Sequence, residues 1–287
     1  MSYVERALAK INLSLRVLSK RDDGCHEIET LMVPLSGVED VLNFDLQTGQ
    51  GDVKLRCDDA HLPVGEDNLV MRAMRTFCSR TSKAFCGEIE LKKQIPSGAG
   101  LGGGSSDAAA TLRALNKLSD CNLSLAELRS LAGEIGSDVA FFVEPGPSLC
   151  AGRGEFVSPF TGEIPRLSVI LLKPAFSVST GWAYSMWAQS ECLPEVDYAV
   201  QSASWGDVFN DLERPVFSKY LILAAMKTWL MEQSETQLAM MSGSGSTVFA
   251  ILHRSDEAAP LMARAVAEFG ASTWVITAAI GEGGGGA

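Results

Sequence analysis

The most informative chemical feature of the sequence is a glycine-rich segment followed by two serines and an aspartate. Five of the seven positions 98–104 are glycine, and Ser105, Ser106 and Asp107 come next. Glycine permits positive φ angles and a close approach of the backbone to a ligand. The following residues have the pattern of a helix, whose free N–H groups and dipole favour an anion at its start. The segment therefore predicts a phosphate-binding loop, with serine hydroxyls available to a phosphate oxygen or a magnesium ion.

Three well-known phosphate-binding patterns do not fit this segment. Gly98, Gly100 and Gly103 match the dinucleotide fingerprint, but no second strand ending in an acidic residue follows at the right spacing. A Walker A loop requires lysine where Gly104 stands. The sequence also lacks the protein-kinase motifs Val-Ala-Ile-Lys, His-Arg-Asp and Asp-Phe-Gly. The remaining alternative, a plain flexible linker, is disfavoured by the patterned helix that begins after Ser105.

The elements around this loop indicate an α+β fold. Strands are predicted where apolar residues alternate with polar ones or run continuously: 7–17, 42–46, 53–57, 89–91, 168–172, 247–252 and 274–278. Helices are predicted from a period near 3.6 and from capping signals: 68–77, 105–117, Ser124 to Gly136, 217–232 and 256–269. The change of pattern near residue 160 predicts an N-terminal domain over 1–160, a C-terminal domain over 161–280 and a flexible glycine-rich tail over 281–287.

Charge and composition narrow the classes of partner. Asp and Glu number 35 and Lys and Arg 24, so the net charge is −11. An acidic chain of this kind does not suit nucleic-acid binding, which needs dense Lys and Arg. No apolar run approaches the roughly 18 residues of a membrane span, and no leader pattern opens the chain, so we expect a cytoplasmic protein without a membrane partner. The seven cysteines include no Cys-x-x-Cys pair, which disfavours a disulfide framework or a zinc site.

The glycine segment and several others resemble one family. Pro-x-x-x-Gly-Leu-Gly-Gly-Gly-Ser-Ser-Asp-Ala-Ala, from Pro96 to Ala109, resembles the central phosphate loop of the GHMP kinases, which include galactokinase, homoserine kinase and mevalonate kinase. Further resemblances occur in the family's order at 9–13, 23–30, 136–142, 152–155 and 242–246. The resemblance covers the chain from residue 9 to about residue 250.

The resemblance implies a fold and an activity. The fold would be a two-lobed GHMP kinase fold, with an N-terminal lobe similar to ribosomal protein S5 and a C-terminal ferredoxin-like lobe, and the site would lie in the cleft between them. The Gly-Gly-Gly-Ser-Ser-Asp variant and the Asp-Gly-x-His-Glu segment resemble the branch that phosphorylates the 2-hydroxyl of a cytidine diphosphate sugar alcohol in the non-mevalonate isoprenoid pathway. ATP and Mg²⁺ are implied as co-substrate and metal, without a pattern that identifies metal ligands, and the protein would be a monomer or weak homodimer. A GHMP kinase for another small alcohol and a non-catalytic, ligand-binding relative remain alternatives.

The resemblance also assigns residue roles. Asp138 matches the catalytic aspartate and Lys10 the lysine beside it. Taken alone, each has a simpler interpretation, Asp138 as a helix cap and Lys10 as a solvated strand residue. ATP-binding residues would be Pro96, Gly98, Gly100, Leu101, Gly102, Gly103, Gly104, Ser105, Ser106 and, at the adenine, Asn68. Substrate-binding residues would be Asn12, Cys25, His26, Thr180, Tyr184, Gly243, Ser244 and Gly245.

Several of these assignments keep an alternative. His26 would contact the cytosine edge, beside Cys25 where the family usually has Tyr or Phe, so that one stacking surface is missing. Trp182 competes with Tyr184 as the second aromatic residue at the base. Lys92 and Lys93 either offset the charge of the anionic substrates or are solvated strand residues. The glycines at 242–246 could form only a tight turn. Ala140, two residues after Asp138, stands where the family usually has proline.

Overall fold

Residues 2–281, which the computed structural model describes, form twelve strands, eight α-helices and two short 3-10 helices. The strands are β1 Ser2–Lys20, β2 His26–Thr48, β3 Val53–Cys57, β4 Phe85–Lys92, β5 Ser148–Gly152, β6 Phe156–Pro159, β7 Leu167–Lys173, β8 Gln201–Ala203, β9 Gly206–Asn210, β10 Thr236–Met241, β11 Val248–Leu252 and β12 Trp274–Ile280. The α-helices are α1 Leu69–Thr81, α2 Gly103–Leu118, α3 Leu125–Ile135, α4 Val139–Val143, α5 Thr180–Met186, α6 Glu213–Lys219, α7 Leu221–Met231 and α8 Ala258–Phe269. The 3-10 helices are Trp187–Gln189 and Ser255–Glu257.

The predicted elements are present, although several of their bounds differ, most clearly at α2 and at the predicted helix 217–232. The cap of α1 is Asn68, and the capping box of Ser124 with Glu127 is formed as predicted. Helix α2 begins at Gly103 rather than at Ser105, so the last two loop glycines are helical. The predicted helix 217–232 is two helices that meet at Tyr220, and the first of them already starts at Glu213.

The N-terminal half is built on a long antiparallel ribbon of β1 and β2. Lys10 lies opposite Pro34 in this ribbon, and Lys20 at the end of β1 lies opposite His26. Strands β4 and β5 add to β2, and helices α1 to α4 cover the sheet over an apolar core. The ribbon therefore carries residues from both ends of the predicted site.

The C-terminal half has ferredoxin-like topology. Its sheet order is β10-β11-β7-β12, all neighbours are antiparallel, and helices connect β7 to β10 and β11 to β12. Ile170 and Leu172 of β7 pack in the cluster with α7 and α8, whereas Val169 and Leu171 pack against Ile11 of β1. Burial on both faces explains why this strand is continuously apolar.

The two halves share one twelve-stranded sheet. Ala279 of β12 pairs with Ser36 of β2, and β9 runs parallel to β1 at Ser14 and Leu15. The predicted boundary at residue 160 stays a prediction, because strands from the second half complete the sheet of the first. Such continuous packing fixes the orientation of the cleft between the halves.

The sequence predicts no membrane span and a flexible tail over 281–287. None of the helices within residues 2–281 is long and apolar enough to cross a membrane. Apart from Gly281, the predicted tail lies outside the described residues.

Candidate active site

A cavity of about 1000 Å³ lies where the glycine-rich segment, β1, α5 and the loop after β10 meet. Most of the predicted site residues line it: Lys10, Asn12, Cys25, His26, Asn68, Pro96, Gly98, Gly100, Gly102, Gly103, Gly104, Ser105, Asp138, Thr180, Tyr184, Gly243 and Ser244. Residues that are up to 234 positions apart in sequence are thus gathered around a single space (Lys10 to Ser244).

Three predicted site residues lie behind the cavity lining. Leu101 is fully buried, and its carbonyl accepts a hydrogen bond from the Lys10 N–H at 3.0 Å. Ser106 is buried within the first turn of α2. Gly245 is buried within the loop between β10 and β11, where its N–H donates to the Ser242 carbonyl at 2.9 Å. Their roles toward a ligand stay predictions.

The glycine-rich segment has the backbone conformation that its composition predicts. Gly98, Gly100 and Gly102 have φ angles of 61°, 76° and 74°, in the left-handed region. The Ser242 hydroxyl donates to the Gly100 carbonyl at 2.9 Å, and the Thr247 N–H donates to the Ala99 carbonyl at 3.1 Å. The loop from the C-terminal half therefore fixes the glycine segment in place, so it is more than the tight turn that was its alternative.

Gly100→Ala is expected to destabilise the protein by about 1–3 kcal/mol and to raise the KM for ATP. An added Cβ would overlap the Ser242 carbonyl oxygen, at a positive φ that an L-residue resists. Urea denaturation and steady-state kinetics measure the two effects. The matched control is Gly104→Ala, whose Cβ would lie 3.5 Å from Leu69 Cδ1, an ordinary contact in a helix. That variant should keep the native free energy of unfolding or gain up to about 1 kcal/mol of it. An equal loss of stability in both variants would contradict the steric argument.

Lys10 and Asp138 form an ion pair at the centre of the cavity. Lys10 Nζ lies 3.7 Å from Asp138 Oδ2 and donates to Asn12 Oδ1 at 2.6 Å. The Asn12 amide in turn donates to the Thr30 hydroxyl at 2.8 Å. Burial lowers the pKa of Lys10, and the negative charge of Asp138 opposes that shift. The side chain of Lys10 is only 4% exposed, so the alternative of a solvated strand residue is wrong.

Asp138 presents its carboxylate to the cavity. It occupies the N-cap position of α4, but its side chain makes no capping hydrogen bond and is 35% exposed. The residues of α4 are buried, including Ala140, and anchor the backbone next to it. Because neither capping nor burial engages this carboxylate, it is available to accept a proton from a hydroxyl group in the cavity.

Aromatic side chains gather at the end of the cavity near residue 26. The His26 and Tyr184 rings are stacked with centroids 5.5 Å apart, and Trp187 meets His26 edge to face at 6.3 Å. Burial, and then the charge of Lys20, lower the pKa of His26, which favours the neutral ring with one donor and one acceptor. Trp182 instead packs on Tyr220 and beneath the Lys219 ammonium.

Cations and hydroxyls complete this end of the cavity. Lys20 and Arg153 line it together with Cys25. The Thr180 and Ser244 hydroxyls form a hydrogen bond of 2.8 Å across the cleft. The cavity thus offers hydroxyl groups and the positive charges of Lys20 and Arg153, of which Arg153 also pairs with Glu155 at 3.3 Å.

Three leucine side chains lie at the other end of the cavity, near α1. Leu62, Leu69 and Leu91 line it together with Asn68. The Asn68 side-chain oxygen caps α1 by accepting a hydrogen bond from the Val70 N–H at 2.9 Å, and its amide nitrogen donates to the Pro63 carbonyl at 2.7 Å. Both of its polar groups are engaged locally, so Asn68 shapes the wall of this end. Direct contact with adenine stays a prediction.

Sequence patterns left the role of Lys93 open and missed the network around it. Lys93 Nζ bridges two buried carboxylates, donating to Asp40 and, at 2.7 Å, to Asp107. Burial raises the pKa of Asp107 to about 7, although Lys93 opposes the shift. Lys92, by contrast, is exposed, as expected of a solvated charge. The network ties the start of α2 to β2, and no local periodicity could have revealed it.

A second network behind the site was also missed. Asn210 at the end of β9 donates to the carbonyls of Met241 and Gly243 at 2.7 and 2.8 Å. Glu213 accepts from the Met241 N–H at 2.8 Å and pairs with Lys227 at 2.7 Å. These buried polar groups hold the loop that contains Gly243 and Ser244. Their only sequence signal is a group of polar residues between apolar ones, which does not identify partners.

The geometry agrees with phosphoryl transfer to a hydroxyl group. That reaction depends on positioning phosphates and stabilising charge, with a group that accepts the hydroxyl proton. Two family models match the chain. The model described as "GHMP kinases N terminal domain" matches residues 68–146, and the model described as "GHMP kinases C terminal" matches residues 192–272. The chain therefore belongs to the GHMP kinase family and is a small-molecule kinase with the fold that its sequence predicted.

Relatives within the family share one name. A 4-diphosphocytidyl-2-C-methyl-D-erythritol kinase from Methylacidiphilum infernorum is 39% identical over 272 residues, covering 94% of this chain and 93% of the relative. The kinase of that name from Caldanaerobacter subterraneus is 38% identical, covering 86% and 87%. A crystal structure of 4-(cytidine 5'-diphospho)-2C-methyl-D-erythritol kinase superimposes with a TM-score of 0.76 and 30% identity, covering 96% of this chain and 99% of that chain. The mevalonate kinase of Methanococcus jannaschii, 12% identical with a TM-score of 0.64 over 98% of each chain, shares the fold alone.

Proposed function

We propose that this kinase transfers the γ-phosphate of ATP to the 2-hydroxyl of 4-diphosphocytidyl-2-C-methyl-D-erythritol, in the non-mevalonate pathway to isoprenoid precursors. The observation that carries the proposal is the continuity of the cavity. It joins the glycine-rich segment, the Lys10–Asp138 pair and the His26–Tyr184 stack in a single space. The names of relatives at 38–39% identity support the same substrate.

ATP would occupy the part of the cavity between α1 and α2. The apolar surface of Leu69 and Leu91 suits the adenine ring, with Asn68 beside it. The glycine-rich segment and the first turn of α2 suit the phosphates, because Gly103, Gly104 and Ser105 lie at the positive end of a 16-residue helix.

The cytidine diphosphate group would occupy the aromatic end. A neutral His26 can both donate to and accept from the edge of a cytosine, and Tyr184 offers its ring to the base. Lys20 and Arg153 supply positive charge for the diphosphate. Asn12, Thr180 and the loop at Gly243 and Ser244 would contact the sugar alcohol.

The transfer step would use the central ion pair. Asp138 accepts the hydroxyl proton as the oxygen forms its bond to the γ-phosphorus, and the bond from that phosphorus to the β–γ bridging oxygen breaks. ADP leaves with the electron pair of that bond. The Lys10 ammonium, held by Asn12, orients Asp138 and stabilises charge on the transferred group.

Mg²⁺ belongs to this proposal, and Asp107 fits it. The Asp107 Oδ1 atom is buried without a hydrogen-bond partner, and its residue lines the cavity at the start of α2. Mg²⁺ commonly uses one or two carboxylates together with phosphate oxygens and waters. No cluster of three or more His, Cys, Asp or Glu residues that could hold a metal occurs in the described part of the chain, which is compatible with such a sparse ligand set. The ion would neutralise charge on the β- and γ-phosphates.

All the residues that this proposal uses line one cavity of a single chain, which supports a monomer or weak homodimer. We place it in the cytoplasm, where ATP is supplied.

The proposal is tested by an ADP-release assay with ATP, Mg²⁺ and the cytidyl substrate, with ³¹P NMR to locate the new phosphate ester. We expect turnover with this substrate and none with mevalonate or homoserine. Turnover with mevalonate or homoserine alone would assign the chain to another alcohol. Binding of the cytidyl substrate without turnover would support a non-catalytic relative instead.

A further inference from the structure

We propose that Trp187 is a nucleobase-binding residue, which supplies aromatic surface to a pocket that has only a thiol at position 25. This inference rests on the proposed function, since it concerns the cytidine end of the same cavity. None of the sequence motifs contains Trp187.

The geometry places Trp187 in the aromatic group at this end. It follows α5 directly, three residues after Tyr184, and both residues line the cavity. Its ring lies 6.3 Å from the His26 ring at an interplanar angle of 80°, whereas Tyr184 is inclined by only 26° to His26. The three rings therefore form a corner with two walls that are nearly perpendicular.

A flat heterocycle fits this corner. At 5.5 Å the His26 and Tyr184 rings are offset, since fully overlapping rings would be separated by about 3.5–4 Å. A base bonded edge to edge with His26 would lie over Tyr184 and meet Trp187 at a steep angle. Edge-to-face contact of this kind is favourable between aromatic rings.

The polar group of Trp187 gives an independent indication. Its Nε1–H is buried without a hydrogen-bond partner, although buried tryptophans usually find one. No hydrogen bond therefore fixes the indole, so a small rotation of the ring could bring its donor to a ligand with carbonyl oxygens. A pyrimidine nucleotide has such an oxygen on its base.

Position 25 explains why the additional ring matters. Cys25 lines the cavity next to His26 and is half-buried, but its thiol covers much less of a base than an aromatic ring. Trp187 can restore part of that apolar contact from a neighbouring side. Cys25 and Trp187 should then be energetically coupled, which a purely structural role for Trp187 does not require.

The test is calorimetric binding of CMP to the full chain, with steady-state kinetics beside it. Trp187→Leu should weaken CMP binding about tenfold, raise the KM of the cytidyl substrate to match, and leave the KM for ATP unchanged. Trp187→Phe should bind CMP with an affinity within about threefold of the native value. The matched control is Trp182→Leu, on the neighbouring helix but packed on Tyr220 and Lys219, which should not change CMP binding.

Two further measurements keep the proposal open to contradiction if Trp187→Leu folds poorly. CMP should quench the tryptophan fluorescence of the native chain and of Trp182→Leu, and the quenching should disappear in Trp187→Phe. Cys25→Tyr should tighten CMP binding more strongly in the Trp187→Phe background than in the native chain.

The outcomes separate this inference from the proposed function. Native CMP binding that is indifferent to position 187, or equally sensitive to position 182, would overturn the role of Trp187 alone. A native chain that neither binds CMP nor turns over the cytidyl substrate would overturn both.

Discussion

Asp138→Asn is expected to lower kcat by about 10²–10⁴-fold, the range that a positioned general base contributes. The amide has nearly the same shape as the carboxylate but does not accept the hydroxyl proton. The KM values for ATP and the alcohol should change little, because in the proposed mechanism Asp138 acts on the reacting hydroxyl and not on the base or the adenine. Single-turnover phosphoryl transfer with saturating substrates measures the chemical step directly.

The same substitution should change the response of the enzyme to pH. Burial lowers the pKa of Lys10, and the charge of Asp138 raises it. Removal of that charge leaves Lys10 with Asn12 as its polar partner at 2.6 Å, so its pKa should fall further. The residual activity of Asp138→Asn should therefore decline at a lower pH on the alkaline side than native activity does.

A matched control separates loss of a base from loss of a charge. Asp67 lines the same cavity but is exposed and lies beside Asn68, at the end near α1. Asp67→Asn makes the same chemical change and should keep kcat within about threefold. If Asp138→Asn behaved like this control, Asp138 would only orient the hydroxyl, and the proton would leave by another route.

Strand β1 and the glycine-rich segment could be predicted because their signals are local. Alternation over 7–17 fixed which residues of β1 face the core, and the glycines at 98, 100 and 102 have the positive φ angles that only glycine adopts easily. The capping box at Ser124 needs only four residues. In each case the deciding contacts lie within a few residues of each other.

Helix boundaries were less predictable where tertiary packing outweighs helix propensity. Gly103 and Gly104 disfavour a helix by about 1 kcal/mol each relative to alanine, which is why the sequence placed the start of α2 at Ser105. In the structure Gly103 packs so closely on Ile95 that an added Cβ would lie 2.9 Å from Ile95 Cγ2. Packing against this neighbour, from outside the helix, requires glycine and fixes the earlier start.

The burial of charged groups could not be predicted at all. Alternation placed Lys10 on the polar face of β1, yet the glycine-rich segment at Gly102 and the loop at Gly243 lie against its side chain, and it is buried. Lys93 pairs with Asp40 and Asp107, which are 53 and 14 residues away in the sequence. The partners of a buried charge are set by topology, so a single sequence shows the charges but not the pairs.

Lys227→Met is expected to cost about 3–5 kcal/mol of folding free energy, because it leaves Glu213 charged and buried without its partner. The two side chains are 6% and 3% exposed and join at 2.7 Å. Burial raises the pKa of Glu213, and Lys227 opposes the shift. Without Lys227 the pKa of Glu213 should rise further above that of the unfolded chain. The loss of folding free energy in Lys227→Met is then largest at neutral pH and becomes smaller as acid protonates Glu213.

The loss should extend to the active site, because Glu213 and Asn210 hold the loop after β10. Glu213 accepts from Met241, and Asn210 donates to Met241 and Gly243, whose loop lines the cavity opposite Lys10. We expect Lys227→Met to raise the KM of the cytidyl substrate as well as to lower the urea midpoint with an unchanged m-value.

The double variant Glu213→Gln/Lys227→Met provides the control. Glutamine keeps an acceptor for the Met241 N–H and carries no charge, so the double variant should regain most of the lost stability. Its remaining loss of stability should depend less on pH between 4 and 8 than that of the single variant. A loss below about 1 kcal/mol in the single variant would show that the fold relaxes to hydrate Glu213. A double variant as unstable as the single one would show that lost packing of the lysine stem, rather than an unpaired charge, is responsible.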